Sequence, residues 1–215
     1  MARFDTFLFD LDGTLIDHFA AIHRSHSHTM RQLGLPEPTL AEVRAAVGGG
    51  LELAIQRLVG PARLAEALPI YRAYWDETML DDVTLMPGAR ELLATLHLRG
   101  AKLAVFTNKV GHSSRLICDH LGIAPFFRGI FGAKDTAWLK PQPEFAAYAL
   151  DQLSATPATA LLVGDSPFDI QAAHNGGFPC WCVTTGTHTA TELRAAQADA
   201  VFASLAALGA TLETV

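Results

Sequence analysis

Four short apolar runs punctuate the chain, at residues 4–9, 102–106, 160–163 and 180–183. Each is apolar through its length rather than alternating, and each stops at polar residues or glycine. That is the pattern of a strand buried on both faces. Residues 129–132 and 200–202 read as weaker strands. Between most of these runs, apolar positions recur at helical spacing. Residues 88–98 carry Leu92, Leu93 and Leu96 and stop at Gly100, and residues 113–121 and 144–153 look similar. Buried strands alternating with helices predict a parallel sheet covered on both faces. In such sheets ligands sit outside the carboxyl ends of the strands.

One region breaks the alternation. Between about His18 and Asp82 no strand is convincing, and residues 21–33, 40–46, 51–58 and 63–79 read as amphipathic helices. They are separated by breaks at 34–38, 48–50 and 60–61. The expected architecture is therefore α/β: a Rossmann-like parallel sheet core from residues 1–16 and 84–215, with a helical cap inserted at 17–83. Hinges are expected near 16–19 and 80–87.

Composition narrows the classes. With half of its 215 residues hydrophobic and 18% charged, the chain is globular. A net charge of −6 without any Lys/Arg-rich run argues against a nucleic-acid partner. No stretch of 18 apolar residues predicts a membrane span, and Asp5, Asp10 and Asp12 interrupt any leader-like segment. The three cysteines, Cys118, Cys180 and Cys182, form no C-x-x-C pair and read as reduced, packed thiols of a cytoplasmic protein.

The strand ends carry the chemistry. The first apolar run ends in Asp10 and Asp12, two carboxylates that repel each other and resist desolvation, so something positive is expected beside them. "AVFTNK" ends in Thr107 and Asn108, "WLKPQPE" presents Lys140 in a loop, and "LLVGDSPFD" brings Asp165 and, four residues on, Asp169. Carboxylates so grouped call for a hard cation, and oxygen ligands suit Mg²⁺. With a lysine beside it, that ion would attract a dianionic phosphate. Four histidines, His18, His23, His26 and His28, fall in the helical region and read as surface or cap-contact residues. The triple glycine of "VGGGLE" at 47–52 lacks the Gly-Lys-Ser/Thr of a phosphate loop and reads as a cap loop that meets substrate through bare backbone.

"DLDGTL", "FTN", "LKP" and "GDSPFD" resemble the four ordered motifs of the haloacid-dehalogenase superfamily, and specifically its Mg²⁺-dependent phosphatases. "DGTLID", "MPGARELLATL" and "AAHNGGF" are similar to the phosphoglycolate-phosphatase-like branch. The resemblance implies a nucleophile at Asp10, a general acid/base at Asp12, and phosphoryl contacts from Thr107, Asn108 and Lys140. It implies Mg²⁺ held by Asp10, the backbone carbonyl of Asp12 and Asp165. Asp169 would serve through water and orient Lys140. The implied reaction is hydrolysis of a small phosphorylated metabolite, 2-phosphoglycolate-like or a sugar phosphate, through an aspartyl-phosphate, by a monomer or homodimer.

Other readings fit less of the sequence. A receiver-type signalling module shares the acids, the hydroxyl and the lysine but lacks D-x-D-G-T and the insertion. A dehalogenase has no use for Asp12, and a phosphonatase needs a cap lysine, whereas residues 18–83 contain none. A β-phosphoglucomutase-like mutase is the nearer alternative. Its cap histidine and arginine align at Ile22 and near Leu51, which favours hydrolysis here.

Overall fold

The computed structural model describes residues 4–213. The outermost residues of the expected core, 1–3 and 214–215, lie outside the described residues. In chain order the elements are β1 (Thr6–Phe9), β2 (Ile16–Asp17), α1 (Phe19–Gln32), α2 (Leu40–Ala46), α3 (Leu51–Val59), α4 (Leu64–Thr78) and β3 (Thr84–Leu85). They continue as α5 (Ala89–Leu98), β4 (Lys102–Val110), α6 (Gly111–His120), β5 (Gly129–Ala133), α7 (Pro143–Gln152) and β6 (Ala160–Gly164). The last are α8 (Pro167–Asn175), β7 (Cys180–Val183), α9 (Ala190–Ala195), β8 (Ala200–Phe202) and α10 (Leu205–Glu213).

Six strands form one sheet in the order β5-β4-β1-β6-β7-β8, and every pairing is parallel. β1 lies between β4 and β6, so three strand ends rich in polar residues open on the same rim. The alternation of side chains along β1 shows why its run is unbroken: Phe7 and Phe9 pack on one face and Leu8 on the other. The first face is covered by α5, α6 and α10 through Leu92, Ile117 and Leu208. The second is covered by α7, α8 and α9 through Phe145, Ile170 and Leu193. Cys180 and Cys182 are buried in that second layer with their Sγ atoms 3.7 Å apart, as packed thiols.

Helices α1 to α4 fill the gap between β2 and β3, and α2 begins at a capping box in which Thr39 and Glu42 exchange hydrogen bonds. Two details differ from expectation. The regions read as hinges contain a two-stranded antiparallel pair, Ile16 opposite Leu85 and Asp17 opposite Thr84. Two residues a side carry too little pattern to be read from sequence. β4 also runs past 106 to Val110, with an irregular register between Phe106 and Val110 against β5. Polar Thr107 and Asn108 therefore lie within the strand rather than beyond it.

Inside the insertion, His26 is 2% exposed and its ring lies 4.7 Å from that of Tyr71. It is no surface histidine. Burial, helped by the neighbouring His23, pushes its pKa down to about 4. The unfolded chain takes up a proton near pH 6.5, while the folded chain does not until about pH 4. Stability is therefore lost as pH falls between those values, by up to about 3 kcal/mol for this group. Denaturant titrations at pH 7 and pH 4.5 are expected to show a smaller acid-dependent loss in His26→Gln than in the wild type. Equal losses would show that His26 is not the group that resists protonation.

Candidate active site

At the carboxyl end of β1, Asp10 is buried and its Oδ1 lies 2.9 Å from the ammonium of Lys140. The same ammonium donates to Oδ1 of Asp169 at 2.7 Å. Lys140 reaches this point because Asn108, near the end of β4, grips its backbone twice. The Asn108 side chain accepts from Lys140 N–H at 2.8 Å and donates to Lys140 C=O at 3.0 Å. Asp169 is fixed on its other oxygen, which accepts from the backbone N–H groups of Asp165 and Ser166 and from the Ser166 hydroxyl. Ser166 and Asp169 together form the capping box of α8, with Pro167 in its first turn. "GDSPFD" thus starts a helix and orients a lysine with the same aspartate.

Asp165 depends on neutral donors. Thr14 donates to its Oδ1 at 3.1 Å, and the backbone N–H of Thr187 donates to its Oδ2 at 2.9 Å. Two glycines make room for it. A Cβ on Gly186 would lie 1.9 Å from Asp165 Oδ2, and one on Gly13, whose φ is +83°, would lie 2.9 Å from it.

Asp10, Asp165 and Asp169 each offer an oxygen within 4.8 Å of the others. Burial pushes Asp10 up, with Asp169 adding to the effect and Lys140 working against it. Burial, then Asp169 and Asp10, pushes Asp165 up as well. Lys140 is held above its ordinary range by the two acids it bridges, despite its own burial. One ammonium thus faces three carboxylates, and negative charge is left over. A hard divalent cation with oxygen ligands would relieve it, so the donor set fits Mg²⁺.

Asp12 points elsewhere. Both its oxygens lie against the Lys109 ammonium, at 2.8 and 3.1 Å, and His18 Nδ1 is 3.6 Å from Oδ1. Burial would raise the Asp12 pKa, but Lys109 and His18 overcome it and hold Asp12 well below the usual carboxylate range. His18 is buried, and its Nε2 donates to Met79 C=O at 2.6 Å. Lys109 itself sits 4.5 Å from the centre of the Trp75 ring.

A cavity of about 290 Å³ joins these groups to the helical insertion. Asp10, Asp12, Thr107, Asn108 and Asp165 line one end. Gly48 and Gly50 from the triple-glycine loop border it, and Gly48 C=O accepts from the Asn108 side chain at 3.0 Å.

All seven sequence-predicted residues thus meet at one rim: Asp10, Lys140, Asp165 and Asp169 in a single buried cluster, with Thr107, Asn108 and Asp12 around it. Sequence reasoning missed Lys109, Thr14, Thr187 and Gly186. Lys109 follows Asn108 directly inside the quoted "FTNK" and could have been found there. Nothing local marks Thr187 or Gly186, which arrive from the loop after β7.

The chain matches the haloacid dehalogenase-like hydrolase family model over residues 7–183. It is 34% identical over 214 residues to a 5'-nucleotidase of Pseudomonas aeruginosa, covering 99% of this chain and 97% of that one. It is 31% identical over 211 residues to a phosphoglycolate phosphatase of Pseudomonas putida, covering 94% of this chain and 77% of the other. Its fold superposes on a haloacid dehalogenase-like family hydrolase from Streptococcus pneumoniae with a TM-score of 0.90 at 27% identity, covering 98% and 99% of the two chains.

The tight contact of Gly186 with Asp165 gives a direct test. Gly186→Ala must push the Asp165 carboxylate off its donors. Displacement by an ångström or so should lower kcat/KM about a hundredfold on any hydrolysed phosphate ester. Gly209→Ala, where the added methyl makes an ordinary contact at 3.4 Å in α10, should leave it unchanged. Equal activity of the two variants would show that Asp165 needs no fixed position.

Proposed function

This chain belongs to the haloacid dehalogenase-like hydrolases and is a phosphoric monoester hydrolase, and we propose that it is a Mg²⁺-dependent phosphatase working through a phosphorylated Asp10. The observation that supports this reading most is the buried cluster itself. Three acids, one ammonium and a cavity meet at the strand ends, where a phosphate dianion would otherwise be repelled.

Asp10, the Asp12 carbonyl and Asp165 would hold the ion, with Asp169 reached through water. When bound, Mg²⁺ supplies positive charge for the phosphoryl oxygens and for the acids around them. The chain's own groups do the rest. Lys140 holds Asp10 Oδ1 and leaves the second oxygen to attack phosphorus in line. As the Asp10–phosphorus bond forms, the bond to the leaving alcohol breaks, and Asp12 gives that oxygen a proton; for this step Asp12 must have parted from Lys109 and taken up a proton as substrate binds. Water then attacks phosphorus and loses its proton to Asp12, which frees Asp10 and inorganic phosphate. Thr107 and Asn108, which line the cavity beside Asp10, would hold the phosphoryl oxygens. Residues 17–83 act as a cap over it. Ile22 and Leu51, where a mutase-like histidine and arginine would align, both line the cavity as apolar side chains. That supports release of the alcohol rather than return of the phosphoryl group to it.

Metal removal provides the first check. Hydrolysis of acetyl phosphate should vanish in EDTA and return with excess Mg²⁺. Full activity in metal-free buffer would overturn the assignment of the cation.

The two aspartates separate in a second experiment. Asp10→Asn removes the attacking anion and should lower turnover by several orders of magnitude, with no phosphoenzyme formed. In Asp12→Asn, acetyl phosphate has a leaving group that departs without a proton, so phosphorylation should proceed while water lacks its base. Intact-protein mass spectrometry should then show one added phosphoryl group on Asp12→Asn and none on Asp10→Asn. Wild-type turnover by Asp10→Asn, or Asp12→Asn never trapping phosphate, would sink the division of roles.

A further inference from the structure

The far end of the cavity differs in kind from the phosphate end. Where it enters the helical insertion it is walled by Ile22, Val47, Leu51, Ala54, Tyr71 and Trp75. The rings of Tyr71 and Trp75 are nearly parallel, with centroids 5.9 Å apart and planes 16° apart, and the His26 ring lies 4.7 Å from that of Tyr71. This end is therefore flat, aromatic and apolar.

Arg72, Asp76 and His112 line the cavity as exposed residues, and the buried polar groups of this end are few. His26 is 2% exposed and lines the cavity, and neither ring nitrogen has a hydrogen-bond partner among the described residues. Burial holds it neutral at neutral pH, so it offers one N–H and one lone pair. The hydroxyl of Tyr71, a residue 4% exposed, also has no partner among the described residues and belongs to the same wall. Ser113 accepts from Trp75 Nε1 at 3.3 Å and keeps its own proton for another acceptor.

Apart from Lys109, which is held by both oxygens of Asp12, no permanent cation among the lining residues faces the aromatic wall from within. Arg72 is an exposed residue paired with Glu52 at 3.3 Å. A second anionic group on the substrate, such as a short carboxylate, would meet an apolar wall with no cation to receive it. A hexose would bring more hydroxyls than this wall can satisfy. A neutral ring with a polar edge fits both features, because it packs against the apolar and aromatic wall while its edge reaches His26, Tyr71 and Ser113.

We propose that the leaving group is an uncharged, ring-bearing alcohol with hydrogen-bonding edges, the chemistry of a nucleoside or a hydroxymethyl-pyridine, and that the preferred substrate is its phosphate monoester. This rests on the phosphatase reading above and names the substrate class for that same site. The cavity of about 290 Å³ is near the lower end of the range usual for small-molecule sites and is roomy for a two-carbon acid.

The test is a kcat/KM comparison with Mg²⁺ across purine and pyrimidine nucleoside 5'-monophosphates, pyridoxal 5'-phosphate, 2-phosphoglycolate, glucose 6-phosphate and acetyl phosphate. At least one ring-bearing ester should exceed 2-phosphoglycolate and glucose 6-phosphate by about tenfold or more. The nucleotide and pyridoxal arms say which ring source the wall fits. Ala54→Phe, which fills the wall, should cut kcat/KM on that ester at least about tenfold more than on acetyl phosphate, with circular dichroism confirming the fold. Higher or equal kcat/KM on 2-phosphoglycolate or glucose 6-phosphate, or equal loss on both esters in Ala54→Phe, would overturn the substrate class. Absence of Mg²⁺-dependent hydrolysis of every compound, acetyl phosphate included, would overturn the phosphatase reading beneath it.

Discussion

The site depends on one buried ammonium. Lys140 bridges Asp10 and Asp169 at 2.9 and 2.7 Å, and its side chain is 2% exposed. Burying ions in this way costs several kcal/mol for each, and only close partners offset it. Lys140 is therefore gripped by its backbone through Asn108, Asp169 by the first turn of α8, and Asp10 by the middle of the sheet. Remove the ammonium and two acids lose their partner inside a site where a third, Asp165, already relies on uncharged donors alone. The cost of burying charge is concentrated at one end of the sheet, above an apolar body in which Phe9, Leu8 and Val163 are fully buried.

Where the sequence was legible, a physical pattern made it so. Unbroken apolar runs marked β1, β4, β6 and β7 because a doubly covered parallel strand has no wet face. The acids were legible because nothing but a ligand explains several carboxylates at the ends of buried strands. The rest was not legible, because it depends on long-range contacts. Thr187 reaches Asp165 across 22 residues and Lys109 reaches Asp12 across 97. Gly186 is required by the closeness of a carboxylate, which no turn pattern announces. α9 was missed although Thr189 and Glu192 form a capping box, because six residues show too little of a helical period. For His18 and His26 the sequence leaves surface and cap-contact positions open, because their burial comes from Trp75 and Tyr71 of α4, far along the chain.

The insertion meets the core through a small set of polar contacts. Asn108 donates to Gly48 C=O, Trp75 to Ser113, and Arg44 to Gly186 C=O, while Lys134 pairs with Glu52 at 2.9 Å. The chain crosses between them beside a pair of two-residue strands. Exposed ion pairs such as Lys134–Glu52 are worth about 0–1 kcal/mol. Neutral hydrogen bonds add roughly 1 kcal/mol each. These polar contacts cost little to break, which suits the cap role proposed for residues 17–83, while Ile22, Val43, Ile55, Tyr71 and Trp75 share one buried apolar cluster with the core.

The proposed cap and the proposed chemistry share residues. Asp12 is the proposed proton carrier, and it touches Lys109 and His18. Lys109 lies over Trp75, and His18 is tied to Met79 beyond the end of α4. Trp75 belongs both to the aromatic wall that would receive the leaving group and to the contact that closes on Ser113. A leaving group that packs on Trp75 favours the same position of α4 that sets the surroundings of Asp12. Binding energy gained far from phosphorus can in this way be used to order the proton carrier, which raises turnover rather than affinity alone. The aromatic wall and the acid pair are joined by one helix, so the choice of leaving group and the readiness of the acid are physically linked.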